Sequence, residues 1–354
     1  MTKANNPTNV QWIDTLRALA TIGVIVIHVT SPVLNMSFLK NMQFWWVGNV
    51  VESMVRFPVP LFLMLSGATM LGKEYPLGEF YKKRFMRVLV PFLFWMVVYW
   101  TFRWSMLMPS VQPKTVASTF NWAIDLFLKE GISKHFWYIY MILFIYLFLP
   151  FLGKVLRKLN SPTILFILLG WVILCFIFRK LPVSFYNWTE NYHYKLLGYF
   201  LYTGYLALGY YLVKLDLSSI IIKYTAVITF VITVLIASIS TYVFSTNSGK
   251  LDQSIYGYLT TNTIIQSASI FLIFKNFAVR NNFILRIQNT ISNYSYGIYL
   301  VHIMIIGILF RNGIYWSLAH PLISLPLLTL MVLVSSFGII FVLRKIPGGK
   351  FISG

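Results

Sequence analysis

Long runs of mainly apolar residues constrain this chain more than any other feature of its sequence. A helix crosses the hydrocarbon core of a bilayer with about 20 apolar residues. Because hydrocarbon offers no hydrogen-bond partners, a spanning segment must satisfy its own backbone, as a helix does. The runs therefore predict an all-α polytopic membrane helix bundle with about ten transmembrane helices. They lie near 12–34, 44–71, 88–108, 135–153, 163–179, 195–213, 221–244, 255–274, 292–310 and 321–343.

Composition and charge agree with a chain that is mostly immersed in lipid. Of its 354 residues, 58% are hydrophobic and 11% are charged, against roughly 25% charged in soluble domains. The net charge of +20 comes from 29 Lys and Arg against nine acids. Basic loops orient membrane proteins toward the cytoplasm, so we interpret this charge as topological and expect no nucleic-acid partner. The loops that hold Lys3, Lys83 and Arg344 belong to the more basic side, which predicts that both termini are cytoplasmic.

We expect one membrane domain over residues 1–354, with no fused extracytoplasmic domain. The longest outer loop, 109–134, contains "FNWAIDLFLKE", which suggests a short amphipathic surface helix. Cys175 is the only cysteine, which excludes an internal disulfide. Motifs for zinc, for a phosphate-binding P-loop and for dinucleotides are absent from the sequence, and we predict no metal site.

The second apolar run is predicted to be a broken helix. It contains Glu52 and Arg56, and Pro58 and Pro60 follow in mid-span. Such a break is tolerated where the segment is buried in protein or lines a wet cavity.

A small-residue pair follows the prolines in "LFLMLSGATM". This segment lacks the Gly-x-Ser-x-Gly pattern of a nucleophile elbow. We therefore interpret Ser66 and Gly67 as residues that permit close helix approach.

The first run carries ionisable residues inside a membrane span, in "DTLRALATIGVIVIHV". Arg17 and His28 are eleven residues apart, nearly three helical turns, so they share a face about 16 Å apart along the axis. Asp14 lies one turn before Arg17, and His28 and Asp14 are the candidate catalytic residues. This face offers a cation at the cytoplasmic mouth and an acid–base imidazole deeper in the bilayer. The alternative is an interfacial Asp14–Arg17 ion pair with His28 as a packing residue.

A basic cluster begins the third run, in "YKKRFMRVLVP". Arg84 and Arg87 are three residues apart and share a helix face, with Lys83 beside them. Paired guanidinium groups bind phosphate well. The alternative is a cluster that serves only topology or anionic lipid.

A group of hydroxyls and an imidazole lies in the late segment "NYSYGIYLVHI". Ser295, Tyr296, Tyr299 and His302 fall near one helix face. They are candidates to contact a sugar or a thioester, and interhelical hydrogen bonding is the alternative.

Two further groups are predicted on the outer side. His135 and Trp137 are either interfacial aromatic anchors or residues that stack on a sugar. Glu190 and His193 in "NWTENYHY" are either contacts for sugar hydroxyls or parts of a solvated loop.

Taken together, these motifs resemble the integral-membrane acyltransferase-3 family, whose members O-acetylate bacterial cell-surface glycans. The opening Arg–ten residues–His signature matches Arg17 and His28, and the Arg-x-x-Arg motif matches Arg84 and Arg87. "PLFLMLSG" and "YSYGIYLVH" are also similar to the family's segments.

The resemblance implies a bacterial cytoplasmic-membrane O-acetyltransferase. Acetyl-CoA would be its donor, and a surface glycan or lipid-linked sugar outside the cytoplasm its acceptor. His28 would be the base or a transient acyl acceptor, and Arg17, Arg84 and Arg87 would hold CoA phosphates. An alternative of another class is a transporter or flippase that moves a lipid-linked glycan without chemistry, because proline-broken spans and buried charges fit that too.

Overall fold

The structure is a computed structural model, described for residues 8–107, 132–180, 193–216, 219–275 and 277–354. Within these residues the regular structure is helical. The helices are α1 Thr8–Ser37, α2 Met42–Met54, α3 Pro58–Met70, α4 Leu77–Leu107, α5 Trp137–Lys158, α6 Ser161–Lys180, α7 His193–Leu201, α8 Thr203–Lys214, α9 Ile220–Ser248, α10 Thr261–Phe274, α11 Asn282–Arg311, α12 Pro321–Lys345 and α13 Gly349–Ile352. Short 3₁₀ turns occupy Lys134–Phe136, Ser254–Tyr256 and Trp316–Leu318.

The polytopic helix bundle that the sequence predicts is confirmed, with one difference in the number of full spans. Within the described residues, nine helical segments are long and apolar enough to cross a membrane. The eighth predicted run, 255–274, forms α10, which has only 14 residues. At 1.5 Å per residue α10 is about 21 Å long, shorter than the hydrocarbon core. Its start is delayed because Ser254–Tyr256 is a 3₁₀ turn and Thr260 caps Thr263 N at 3.0 Å.

Two other helices begin earlier than the apolar runs predict. α4 begins at Leu77, so Arg84 and Arg87 lie within the helix rather than before it. α11 begins at Asn282, and the side chain of Asn281 just before it accepts hydrogen bonds from the amides of Phe283 and Ile284. Polar first turns hide both starts from a hydropathy pattern. The outer-loop helix expected over 109–134 falls mainly on residues outside the described ranges.

α1 is the centre of the bundle. It packs against α2, α3, α11 and α12, and Leu16 and Ala20 on its inner faces are fully buried. α9 lies at the periphery, where Ile221, Ile228 and Leu235 are exposed. In a membrane these exposed apolar side chains face lipid.

The break predicted in the second run is confirmed. α2 ends at Met54 and α3 begins at Pro58, a position that tolerates proline because the first helical N–H needs no partner. Between them Arg56 is buried and forms an ion pair with Glu52, and its Nε also donates to the Glu52 carbonyl at 3.0 Å. The guanidinium carbon lies 4.4 Å from the Tyr256 ring centroid. The charges in the break are therefore paired inside the protein.

The close approach predicted at Gly67 is also confirmed. α3 packs on α8 with almost no side chain between them, because Gly67 and Gly209 face the partner backbone. A Cβ built on Gly67 would lie 1.9 Å from the Leu206 carbonyl oxygen, and one on Gly209 would lie 2.0 Å from the Met64 carbonyl oxygen. Ser66 donates to the Phe62 carbonyl at 2.9 Å, within its own helix.

We predict that Gly67→Ala destabilises the folded bundle, because the new methyl group meets backbone that has no rotamer to change. Overpacking of this kind typically costs about 1–3 kcal/mol. Gly170→Ala is the matched control, since its Cβ meets nothing within 4 Å. The buried Cys175 permits a direct measurement, because a thiol-reactive dye reports its exposure on heating. Equal unfolding temperatures for both variants would contradict the close contact.

Candidate active site

Three arginines from two helices meet at one cavity. The cavity has a volume of about 320 Å³ and lies between α1, α3, α4, α5 and α11. Arg17 reaches it from α1, and Arg84 and Arg87 reach it from α4. The sequence predicted each helix face separately, and the fold brings the two together. We call this space the arginine cavity.

Arg17 is held by an acid and a hydroxyl. Its Nη1 donates to Asp14 Oδ1 at 3.0 Å and to Ser292 Oγ at 3.0 Å. Ser292 Oγ in turn donates to Asp14 Oδ1 at 2.6 Å. The ion pair considered from the sequence is therefore present, and it fixes Arg17, whereas His28 lies eleven residues beyond Arg17 on α1.

The remaining basic residues of the α4 cluster lie outside the arginine cavity. Lys82 and Lys83 are exposed, and neither lines the cavity wall. Lys83 adds positive charge near the mouth without contacting the space that the arginines line.

Tyrosines form much of the rest of the cavity wall. Tyr138, Tyr146, Tyr296 and Tyr299 line the cavity, and Ser295 lies beside them. Tyr296 donates its hydroxyl to the Val88 carbonyl at 2.7 Å. The predicted helix face with Ser295, Tyr296 and Tyr299 thus borders the cavity. The Tyr296 hydroxyl, however, forms a hydrogen bond between two helices.

Three histidines lie together next to Tyr299, which also lines the arginine cavity. The His302 ring is 5.1 Å from the His28 ring and 5.1 Å from the His135 ring, measured between centroids. Tyr299 contacts two of them, at 5.6 Å from His302 and 5.3 Å from His135. We call His28, His135 and His302 the histidine cluster; it joins α1, α11 and the turn before α5.

Hydrogen bonds fix the ring of His302 and tie His135 in place. His302 Nδ1 lies 2.6 Å from the Tyr299 carbonyl, which can only accept, so Nδ1 carries the proton and Nε2 keeps a lone pair. His135 Nδ1 lies 2.8 Å from Ser133 Oγ, and Tyr299 donates its hydroxyl to the His135 carbonyl. The Nε2 atoms of His135 and His302 are buried without a hydrogen-bond partner. Such atoms are free to exchange a proton or to bind a ligand.

The structure corrects the expected position of His135. His135 was expected at the outer interface, but only 2% of it is exposed, because the turn before α5 folds it against Tyr99 and Phe136. His28 does not line the arginine cavity. It borders a narrow apolar cleft between α1, α11 and α12, and His302 and Tyr299 stand between it and the cavity.

Of the other predicted outer residues, Trp137 does not line the arginine cavity. Trp137 stacks on Tyr258 with centroids 5.7 Å apart and an angle of 23° between the rings. Glu190 lies outside the described residues, and His193 is described only as the first residue of α7. Within the described ranges, no three His, Cys, Asp or Glu side chains are arranged to hold a metal ion.

Sequence reasoning missed the segment after α12. The tail that holds α13 folds back into the bundle, and Gly354 lines the arginine cavity. Trp95 Nε1 donates to the Ile352 carbonyl at 3.0 Å, and Arg344 donates to the Asn293 carbonyl at 3.0 Å. Gly348 has a φ of 77°, a conformation that favours glycine. A glycine at this position was the sequence signal that the chain reverses there.

Comparison with known proteins identifies one family. A family model described as an acyltransferase domain matches residues 10–345. Comparison with curated proteins and with solved structures found no match.

We predict that the arginine cavity binds polyphosphate anions, because three guanidinium groups line it while Asp14 offsets only one. Inorganic pyrophosphate should raise the unfolding temperature, since a ligand that binds only the folded state stabilises it. Arg84→Gln and Arg87→Gln should remove most of this shift. Lys82→Gln on the same helix is the control. A full shift in both arginine variants would contradict the assignment.

Proposed function

We propose that this chain, which belongs to the acyltransferase-3 family, transfers an acetyl group from cytoplasmic acetyl-CoA to a hydroxyl of an extracytoplasmic or lipid-linked cell-surface glycan. Membership of the family supports acyl transfer at a membrane. The donor, the acceptor and the residue roles below are the proposal.

One observation carries it: the arginine cavity and the histidine cluster share Tyr299 as a common wall. A donor for such a site needs a polyanionic end and a reactive end on a thin arm. Acetyl-CoA has both, with phosphates at one end and a thioester at the other. Arg17, Arg84 and Arg87 would bind the phosphates, and the arm would extend toward Tyr299.

Asp14 has a positioning role in this proposal rather than a role in chemistry. Its contacts with Arg17 and Ser292 hold the guanidinium at the cavity wall. Lys83 would raise the local concentration of the anionic donor by long-range attraction alone.

His28 would act as general base. It would take the proton of the acceptor hydroxyl as the hydroxyl oxygen attacks the thioester carbon. A carbon–oxygen bond forms, the carbon–sulfur bond breaks, and the proton passes finally to the CoA thiolate. An imidazole suits this exchange, because histidine is the side chain that most often serves as a positioned general acid or base.

His302 lies between His28 and the arginine cavity, so it would carry the proton across. With its Nδ1 proton held by the Tyr299 carbonyl, His302 can accept a proton only at Nε2. The acceptor oxygen and the leaving sulfur are bonded to the same carbon in the tetrahedral intermediate, and the adjacent imidazoles of His28 and His302 would pass the proton from the oxygen to the sulfur. Tyr299 and His135 would hold this arrangement, and we do not assign His135 a sugar contact because it is buried.

We predict that His28→Ala lowers the turnover number by about 10²–10⁴-fold, the usual range for general acid–base assistance, while CoA binding stays unchanged. The measurement is transfer of labelled acetyl groups from acetyl-CoA to glycan by purified protein. His302→Gln should also slow turnover and should alter the pH–rate profile, since glutamine does not titrate.

His320→Asn is the matched control, because His320 lies outside the histidine cluster at the N-cap of α12, where asparagine also caps. A loss below about tenfold in His28→Ala, under the usual range, would remove His28 as the base.

We predict that the two substrates enter from opposite faces. Arg17, Arg84 and Arg87 line the arginine cavity near the starts of α1 and α4, and we expect this end of the bundle to face the cytoplasm because its loops are the more basic ones. In vesicles of known orientation, product should form only with acetyl-CoA on the face of Arg17 and acceptor on the other face. Product that requires both substrates on the Arg17 face would contradict transfer across the membrane. The absence of any label in the glycan, with glycan nevertheless moved, would instead support the transporter alternative.

A further inference from the structure

A second cavity lies at the opposite end of the bundle from the arginine cavity. It has a volume of about 300 Å³ and lies between the end of α6, the end of α9 and the segment that leads into α10. We call it the outer cavity. Its lining residues are Phe176, Arg179, Lys180, Phe244, Ser254, Ile255, Leu259, Thr260 and Thr261.

The chain path places the two cavities at opposite ends. Arg157, near the end of α5, donates to the Leu71 carbonyl at 3.0 Å and to the Lys73 carbonyl at 2.9 Å. These contacts put the end of α5 beside the turn that leads into α4 and its arginines. α6 begins at Ser161, directly after α5, so its last residues, Arg179 and Lys180, lie at the far end.

Two cationic side chains, Arg179 and Lys180, line the outer cavity. Arg179 donates to the Ser254 carbonyl, which holds the guanidinium at the wall. The Lys180 ammonium lies 5.8 Å from the Phe176 ring. Asp252 interacts electrostatically with Arg179, and hydrogen bonds from Ser254 hold the pKa of the Asp252 carboxyl below its usual value. Among the described residues that line the cavity, the ionisable side chains are the two cations Arg179 and Lys180.

The apolar walls of the outer cavity adjoin lipid. Phe176 is 57% exposed and Phe244 is 44% exposed, and both lie on spans whose exposed faces are apolar. These walls suit an anion that carries a hydrocarbon chain. The chain can remain in the bilayer beside the phenylalanines while the charged head enters the cavity and reaches Arg179 and Lys180.

An aromatic pair connects the outer cavity to the histidine cluster. Leu259 and Thr260 line the cavity, and the preceding residue, Tyr258, stacks on Trp137. Trp137 follows His135 by two residues and begins α5. A group attached to the head of a lipid in the outer cavity would thus reach the Trp137–Tyr258 pair on its way to the histidines.

We propose that the outer cavity binds the phosphate of a long-chain lipid phosphate that carries the acceptor sugar. Arg179 and Lys180 contact the phosphate, Phe176 and Phe244 contact the start of the hydrocarbon chain, and the sugar lies toward the Trp137–Tyr258 pair. The identification of this lipid as the acceptor rests on the proposed function, whereas binding of the lipid phosphate does not.

The test is native mass spectrometry of the purified protein with a polyprenyl phosphate, the matching polyprenol, and phosphatidylglycerol. The wild-type protein should bind the polyprenyl phosphate at least about tenfold more tightly than the uncharged polyprenol, as expected for a charge contact of about 1.4 kcal/mol. Arg179→Gln together with Lys180→Gln should abolish this preference. Lys40→Gln, an exposed lysine at the same end of the bundle, is the control.

The single variant Lys180→Gln controls for misfolding of the double variant, since it leaves the Arg179 contact with Ser254 intact. Its affinity for the polyprenyl phosphate should fall about three- to tenfold. Equal binding of phosphate and alcohol, or undiminished binding in the double variant, would overturn the proposal. Displacement of the polyprenyl phosphate by equal phosphatidylglycerol would also overturn it, because the cavity would then hold bilayer lipid. Lipid-phosphate binding without any acyl transfer would leave this site standing and remove the proposed function.

Discussion

The ion pair between Glu52 and Arg56 permits the most consequential feature of the bundle, an interrupted span at its centre. Hydrocarbon cannot stabilise free charges or unpaired backbone groups. Arg56 meets both needs, because it neutralises Glu52 and also bonds the Glu52 carbonyl at the end of α2. The interruption lets α3 take its own direction, and α3 supplies Phe62, Leu65 and Ser66 to the arginine cavity. Removing one partner would leave a buried charge, which typically costs about 3–5 kcal/mol.

The parts of the fold that were predictable are those encoded over one or two helical turns. Hydropathy located the spans, the two prolines located the break, and helical spacing placed Arg17 and His28 on one face. The start of α10 was missed because a 3₁₀ turn and a threonine cap interrupt an apolar stretch without changing its hydropathy.

The site was predictable as separate halves but not as an assembly. Arg84 and Arg17 meet because α1 and α4 both border the cavity, and no local pattern records which helices become neighbours. The same reason hid the contact of His302 with His28 and His135, three residues far apart in the sequence. His135 was misplaced because a histidine before an aromatic run has the composition of an interfacial anchor, whereas the fold buries it.

The glycine contact between α3 and α8 bears on how the protein moves. With Gly67 against Leu206 and Gly209 against Met64, the two backbones touch directly and leave no side chains that could repack as the helices slide. We therefore expect these two helices to move as one unit. Any widening between the arginine cavity and the histidine cluster is then expected from side-chain rotation of the tyrosines that line the cavity or from movement of α11. Access between the two sites would then depend on the rotation of tyrosine rings beside a helix pair, α3 and α8, whose spacing does not change.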